Sequence, residues 1–348
     1  MKIKGLAGAS PYAVLAPMKE ITQPPFWSIL EDYGAPDAYF LPFIRVHSNY
    51  RVGKEKMKSF GNYRPLFVQL LGNDPEALCR NVEILQSGGV NGIDFNLGCP
   101  VARIRRRGVG GGLLKDLGRV EGLLKTLRKA ISGIFSVKLR LGFEDPNCVF
   151  VDLCNAVGVD FISLHARTVI DLYGVPPRYE YLTAAAARSR CPILANGDIR
   201  SVSQARRLLD ETLCGGVMIG RGAVRNPWIF YQWRGGPFQP RRRDIWGYLN
   251  KISDRFRLST LPPSRALGVL KRFARYLDWG TDPSGTFLHS LLGVETLSHF
   301  WMQAEGRLNG LHADEIVLFT ESERKENGSS TITFRTLLPD KTSGFGDR

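Results

Sequence analysis

Short apolar runs recur along this chain at roughly 25-residue intervals, separated by longer amphipathic stretches, and that rhythm limits the fold more than any other feature. A short apolar run suits a strand buried on both faces, and the amphipathic stretch after it suits a helix laid over that strand. The spacing predicts strands at Ala13–Ala16, Ala38–Phe43, Leu66–Gln69, Gly92–Phe95, Ser136–Leu139, Phe161–Leu164, Pro192–Ala195 and Gly216–Ile219. It predicts helices at Pro24–Tyr33, Asp74–Ser87, Arg119–Ile131, Val149–Ala156, Tyr181–Arg188 and Ser201–Asp210. Asp74 is placed to cap its helix with Pro75 at the first helical position, and Ser201 to cap another. The polar gap Arg45–Tyr63 shows no clear helix. Eight such units imply an α/β fold, a (β/α)₈ TIM barrel, with a doubly wound open sheet as the alternative. No GxGxxG follows the first strand, which counts against Rossmann-type dinucleotide binding.

In a barrel, chemistry sits at the carboxyl ends of the strands. Polar residues gather there: Pro17-Met18-Lys19, Arg45, Gln69, Asn96 and Cys99, Lys138 and Arg140, His165 and Arg167, Asn196-Gly197-Asp198, and Gly220-Arg221. Gly197, Gly220 and Arg221 suit a phosphate cradle, although a glycine-rich turn can be merely a turn. In Asn96-Leu97-Gly98-Cys99-Pro100, Gly98 permits a tight turn and Pro100 ends the strand. Behind this cysteine come Arg103, Arg105, Arg106 and Arg107, then Gly108 and Gly110-Gly111-Gly112. Two readings stand: chemistry on a polyanion beside a flexible loop, or a structural cysteine before a solvated one.

Charge bears on that choice. Lysine and arginine number 47 against 33 acidic residues in 348, a formal +14, which favours polyanionic partners such as nucleic acid or an acidic membrane surface. Cys79, Cys99, Cys148, Cys154, Cys191 and Cys214 form no close CxxC pair and the histidines are dispersed, so neither a zinc site nor a disulfide framework is indicated. No apolar run approaches the roughly 18 residues of a membrane span, and no signal peptide is read. A soluble, cytoplasmic protein with no metal and no membrane partner is the expectation. After Trp233 the composition changes to a Gly-Pro-Arg linker and then a basic helical pattern with Arg265, Lys271, Arg272 and Arg275 on Ser264–Tyr276, and a second amphipathic candidate at Leu288–Met302. The expected organisation is a barrel over 1–235, a helical unit over 244–315 whose basic residues serve either nucleic-acid binding or merely a solvated face, and a polar tail over 320–348, with a strand at Thr331–Leu338.

An ordered set of motifs over about residues 13–230 resembles the tRNA-dihydrouridine synthases. The set runs Ala16-Pro17-Met18, Val68-Gln69-Leu70-Leu71-Gly72, Asn96-Leu97-Gly98-Cys99-Pro100 and Gly110-Gly111-Gly112-Leu113-Leu114-Lys115. It continues with Val137-Lys138-Leu139-Arg140-Leu141-Gly142, His165-Ala166-Arg167-Thr168, Asn196-Gly197-Asp198-Ile199 and Ile219-Gly220-Arg221-Gly222-Ala223. The segment after Asp244 resembles the family's tRNA-binding domain, and Phe43-Ile44-Arg45-Val46 resembles its bacterial C-type branch.

The resemblance implies an FMN enzyme, with NADPH as reductant, that reduces C5–C6 of particular uridines in tRNA or another structured RNA. Cys99 would be the acid that protonates C5, since a thiol with a pKa near 8.5 still holds its proton at neutral pH. Lys138 would face the flavin N1/O2 edge, and Pro17, Met18, Lys19 and Gln69 would line the isoalloxazine. His165, Asn196, Gly197, Asp198, Gly220 and Arg221 would surround the ribityl phosphate, and Asn96 would bind the uracil. Arg45, Arg103, Arg140, Arg167 and Tyr173 would face RNA, with Arg103 and the residues after it mobile. A monomer is expected. The chain departs from the family pattern at Lys19-Glu20, where glycine and aspartate are common nearby, at Leu41-Pro42 in place of Thr-Glu, and at Tyr173 in place of tryptophan. Competing readings are an FMN barrel acting on a free pyrimidine and a non-catalytic RNA-binding barrel.

Overall fold

The computed structural model describes residues 3, 5–6, 10–277 and 285–317; the polar tail and its expected strand lie outside the described residues. Eight strands form one sheet: β1 (Tyr12–Leu15), β2 (Tyr39–Arg45), β3 (Leu66–Leu71), β4 (Gly92–Leu97), β5 (Ile134–Arg140), β6 (Phe161–His165), β7 (Ile193–Asn196) and β8 (Gly216–Ile219). Neighbours pair parallel in the order β1-β8-β7-β6-β5-β4-β3-β2. The two ends of that order meet, because Asp37 N donates to Ala13 O at 3.0 Å and Leu15 N to Ala38 O at 3.2 Å. The sheet is therefore a barrel, and the open-sheet alternative falls.

The side-chain alternation of a strand explains why one chain can build both a greasy shell and a polar cavity. Outward residues such as Leu15, Val68, Phe95, Val137, Leu164 and Val217 join the large core beneath the surrounding helices. Inward residues Tyr12, Val14, Phe40, Phe67, Phe161, Leu194 and Met218 form a separate cluster that plugs the amino-terminal end. Phe67 stacks on Phe40 at 4.8 Å between centroids and meets Phe161 edge-on at 5.4 Å. Above that plug the inward positions turn polar.

The caps read from sequence are made: Asp74 accepts from Ala77 N and Ser201 from Gln204 N. Three local expectations are corrected. A short helix, Lys54–Lys58, interrupts the polar gap. The run behind Cys99 is a helix, Ala102–Arg106, followed by a 3₁₀ helix, Gly110–Lys115, and not a flexible loop. Its glycines serve close packing: a β-carbon at Gly110 would lie 3.0 Å from Cys99 Cβ, and one at Gly112 only 2.6 Å from Arg105 O. Leu288–Met302 is two helices, Thr286–Gly293 and Leu297–Leu308, because Thr296 caps the second through His299 N.

The C-terminal helices, which also include Arg242–Arg255 and Pro263–Ala274, share the large core with the barrel's outer shell. Trp228 packs on Tyr33 at 4.8 Å, Phe26 meets Phe273 at 5.8 Å, and Tyr248 OH donates to Val224 O at 3.0 Å. Arg272 reaches the loop after β1 through Glu20 at 3.1 Å. Among the described residues no helix is long and apolar enough to cross a membrane.

Candidate active site

The carboxyl ends of the strands gather the polar residues read from sequence, most of them as the strands' own last inward positions. Asn96, Lys138, Arg140, His165 and Asn196 belong to β4–β7 themselves. Register places Asn96 beside Lys138, Arg140 beside His165, and His165 beside Asn196. A two-residue period therefore aims the set into one cavity mouth.

The turn carrying Cys99 is held from several sides. Asn96 Oδ1 accepts from Gly98 N at 3.1 Å and Cys99 N at 3.0 Å. Gly111 N donates to Cys99 O at 3.1 Å. Arg140 is buried beneath and donates to Gly98 O at 3.1 Å, Thr168 O at 2.8 Å and Leu172 O at 2.8 Å, tying the turn to the loop after β6. Burial pushes the Cys99 thiol above its ordinary pKa, although the Val101 amide, Arg140, Lys138 and Lys19 pull the other way. The thiol holds its proton at neutral pH.

Lys138 Nζ donates to Asn196 Oδ1 at 3.0 Å, and Asn196 is fixed in that orientation because its Nδ2 donates to Met218 O at 2.7 Å. Desolvation, with Arg140 nearby, lowers Lys138 to about 8, against the pull of Asp94 and Cys99. It remains a cation at pH 7.

At the other end of the mouth, Asp198 binds the buried Arg167 Nη2 at 2.6 Å, pairs with Arg221, and lies 3.8 Å from Arg200. Burial alone would raise its pKa, but the Arg167 hydrogen bond and the three guanidinium groups outweigh that and lower it. His165 is kept neutral, its pKa driven well below 6.5 by burial and then by Arg140, Lys138, Arg167 and Arg221. His165 Nδ1 and Arg167 Nη1 are buried without a protein partner among the described residues, an arrangement suited to an anion that brings its own acceptors. The loops after β1 and β8 close on each other here, since a β-carbon at Gly220 would lie 3.1 Å from Met18 Sδ, and Gly197 takes a positive φ of 127°.

Tyr173, on the loop after β6, is 42% exposed. Its ring lies 5.2 Å from the Arg140 guanidinium, 4.9 Å from that of Arg221 and 6.3 Å from the His165 ring, so one aromatic roof spans both ends of the mouth. Pro17 and Met18 line the loop after β1, with Lys19 exposed beyond them. Arg45, Arg103, Arg106 and Arg107 are exposed outside the mouth, and Arg105 lies over the Phe143 ring at 6.0 Å. Arg167 is only 2% exposed and faces Asp198 and Val175 O, so it is buried where Arg45, Arg103, Arg106 and Arg107 are exposed. Arg140, also 2% exposed, braces loops from within.

Sequence reasoning passed over Asp94, Ser136 and Gln69's link to them. All three are fully buried inside the barrel. Burial raises Asp94 to about 6, opposed by hydrogen bonds from Ser136 and Gln69 and by the Lys138 charge. The available signal was phase: Asp94 precedes Asn96 by two, and Ser136 precedes Lys138 by two, so each shares its inward face.

Comparison with known proteins bears on what such a mouth does. A sequence model described as dihydrouridine synthase matches residues 14–258, a span holding every site residue from Pro17 to Arg221. A probable tRNA-dihydrouridine synthase of Helicobacter pylori is 38% identical over 228 residues, covering 63% of this chain and 69% of that one. A tRNA-dihydrouridine synthase B of Pseudomonas aeruginosa is 32% identical over 227 residues, covering 62% and 67%. A tRNA-dihydrouridine(16) synthase of Shewanella oneidensis is 32% identical over 228 residues, covering 62% and 72%. The last two stand at the same identity, so identity does not select a branch.

Proposed function

The chain belongs to the dihydrouridine synthase family, and from that premise we propose that it reduces the C5–C6 double bond of particular uridines in tRNA to 5,6-dihydrouridine. The observation that carries the proposal is the turn that presents Cys99 at the barrel mouth, braced by Asn96 and Arg140, with Lys138 on the neighbouring strand. FMN, when bound, would supply the hydride that C6 of the uracil receives, with NADPH as the reductant that recharges it.

The protein's own groups complete the addition. Cys99 Sγ gives its proton to C5 and is reprotonated from water, so the uracil gains one hydride and one proton. Its raised pKa suits an acid and disfavours a resting thiolate nucleophile. Lys138 would stabilise negative charge on the reduced flavin, and Gln69, Pro17, Met18 and Lys19 would line its ring system. Arg221, Arg167, His165, Asn196, Gly197 and Gly220 would hold the phosphate, with Asp198 orienting the two guanidinium groups, which gives the orphaned His165 Nδ1 and Arg167 Nη1 their missing acceptor. Asn96 and Tyr173 would receive the uracil, which must leave its stack to reach the mouth.

The exposed arginines Arg45, Arg103, Arg106 and Arg107, with the helical segment 244–315 as a second RNA-binding unit, would contact the phosphate backbone around that base. Such an enzyme works where tRNA and NADPH are, in the cytoplasm. The test is a visible spectrum of the purified protein with added FMN, followed by mapping of dihydrouridine in unmodified tRNA treated with the loaded protein and NADPH. Retained flavin and dihydrouridine at defined positions support the proposal. Failure to take up FMN refutes it, and turnover of free uracil without any RNA product moves the activity to a small pyrimidine.

A further inference from the structure

Both carboxylate oxygens of Asp94 are engaged inside the barrel. Oδ1 accepts from Ser136 Oγ at 2.6 Å and Oδ2 from Gln69 Nε2 at 2.6 Å. Gln69 Oε1 then accepts from Asn96 Nδ2 at 2.7 Å. Asn96 Oδ1 in turn accepts from the backbone amides of Gly98 and Cys99. The chain of contacts therefore runs from the middle of the barrel to the turn that holds the thiol.

A carboxamide can be turned end for end, donor for acceptor, whereas a carboxylate only accepts. Asp94 is thus the member that gives the chain its direction. Gln69 must present nitrogen to Asp94 and oxygen to Asn96, and Asn96 must then present nitrogen to Gln69 and oxygen to the turn. Reversing either amide would set two donors or two acceptors face to face in a buried place, at the cost of unmade hydrogen bonds.

We propose that Asp94 is a positioning residue for the reaction: it sets the polarity of a Ser136–Asp94–Gln69–Asn96 relay that holds the Gly98 and Cys99 amides and so fixes the place of the Cys99 thiol. The inference deepens the synthase reading and rests on it for the meaning of Cys99, but the relay can be tested without turnover.

The experiment measures the rate at which iodoacetamide alkylates Cys99, read peptide by peptide by mass spectrometry, in full-length protein stripped of flavin. Asp94→Asn removes the fixed acceptor, frees both amides to turn and loosens the turn. The Cys99 rate is expected to rise about fivefold, the population change that one lost intramolecular hydrogen bond produces. Gln69→Glu alone sets two acceptors against each other and is expected to act alike. Combining Asp94→Asn with Gln69→Glu restores the direction, because the new amide at position 94 donates to the new carboxylate at position 69, which accepts from Asn96. The double variant is expected to return to the wild-type rate, with the total charge unchanged.

A purely electrostatic effect of the buried charge would speed Asp94→Asn but slow Gln69→Glu, so acceleration of both single variants together with the reversal marks the relay. A Gln69→Glu variant slower than wild type overturns the proposal. Asp94→Asn reacting like wild type, or a double variant as fast as the single one, overturns the proposal. If Asp94→Asn does not fold, Gln69→Glu carries the test alone, since it faces Asp94 Oδ2 with a second acceptor; a wild-type rate there overturns the proposal equally. Dihydrouridine formation by the flavin-loaded wild type is assayed separately. Its absence would remove the synthase reading and leave the alkylation result standing.

Discussion

Lys138→Met tests the electrostatics of the barrel interior most sharply. Asp94 titrates at about 6 in the fold against an ordinary 3.8, so folding favours its protonated form. Its contribution to stability therefore falls as pH rises from 3.8 to about 6 and is constant above that. Lys138 titrates at about 8 against 10.5, so its contribution rises only as pH passes from about 8 to 10.5. Between about 6 and 8 neither group changes the wild type's stability. Replacing Lys138 by methionine keeps the volume near but removes the cation that draws Asp94 down. The Asp94 pKa then moves further up, and its loss of stability extends into the neutral range. Each unit of that movement is worth about 1.4 kcal/mol. Urea unfolding at about pH 6 and about pH 8 reads the effect: relative to wild type, the variant is expected to lose about 1 kcal/mol more at the higher pH. Adding Asp94→Asn to Lys138→Met is expected to abolish the difference. Parallel pH profiles for wild type and Lys138→Met would refute the reasoning, because Asp94 would then not feel Lys138.

Three further outcomes follow from other parts of the molecule. Phe67→Ala removes the ring stacked between Phe40 and Phe161 in the barrel plug, and urea unfolding should show a loss of about 3–5 kcal/mol. Arg221→Ala should weaken FMN binding about tenfold by fluorescence titration while leaving riboflavin nearly unchanged, since only FMN carries the phosphate. Affinity for tRNA should fall about a hundredfold between about 50 and about 200 mM salt, and replacing Arg103, Arg106 and Arg107 with glutamine should flatten that slope; an unchanged slope would place the RNA elsewhere.

How much of this was legible depended on whether the signal was local. Asp74-Pro75 and Ser201 announce their helices through chemistry within one turn, and both caps form. The eight strands were legible because burial on the outer face leaves continuous apolar runs. The strands run past the expected ends at Phe95, Leu139, Leu164 and Ala195, because the polar residues that follow point inward and break the apolar run without breaking the strand. Asp94 was hidden for the converse reason, a single acid inside an apolar run whose partners lie on neighbouring strands. Arg140 and Arg167 showed their charge in the sequence but not their burial, which comes from carbonyls and an aspartate far along the chain. The glycines behind Cys99 resembled a flexible loop, yet what they supply is room for Cys99 and Arg105 to approach.

The central claim is that Cys99 delivers a proton to uridine at this barrel mouth. Its most direct test is a single turnover: flavin-loaded protein, reduced beforehand, is mixed with unmodified tRNA, and dihydrouridine is counted over time for wild type and Cys99→Ala. Wild type should form product at defined uridines, and Cys99→Ala should be slower by at least about a hundredfold while retaining its flavin. Equal rates in the two proteins would contradict the assignment and move the acid to another group.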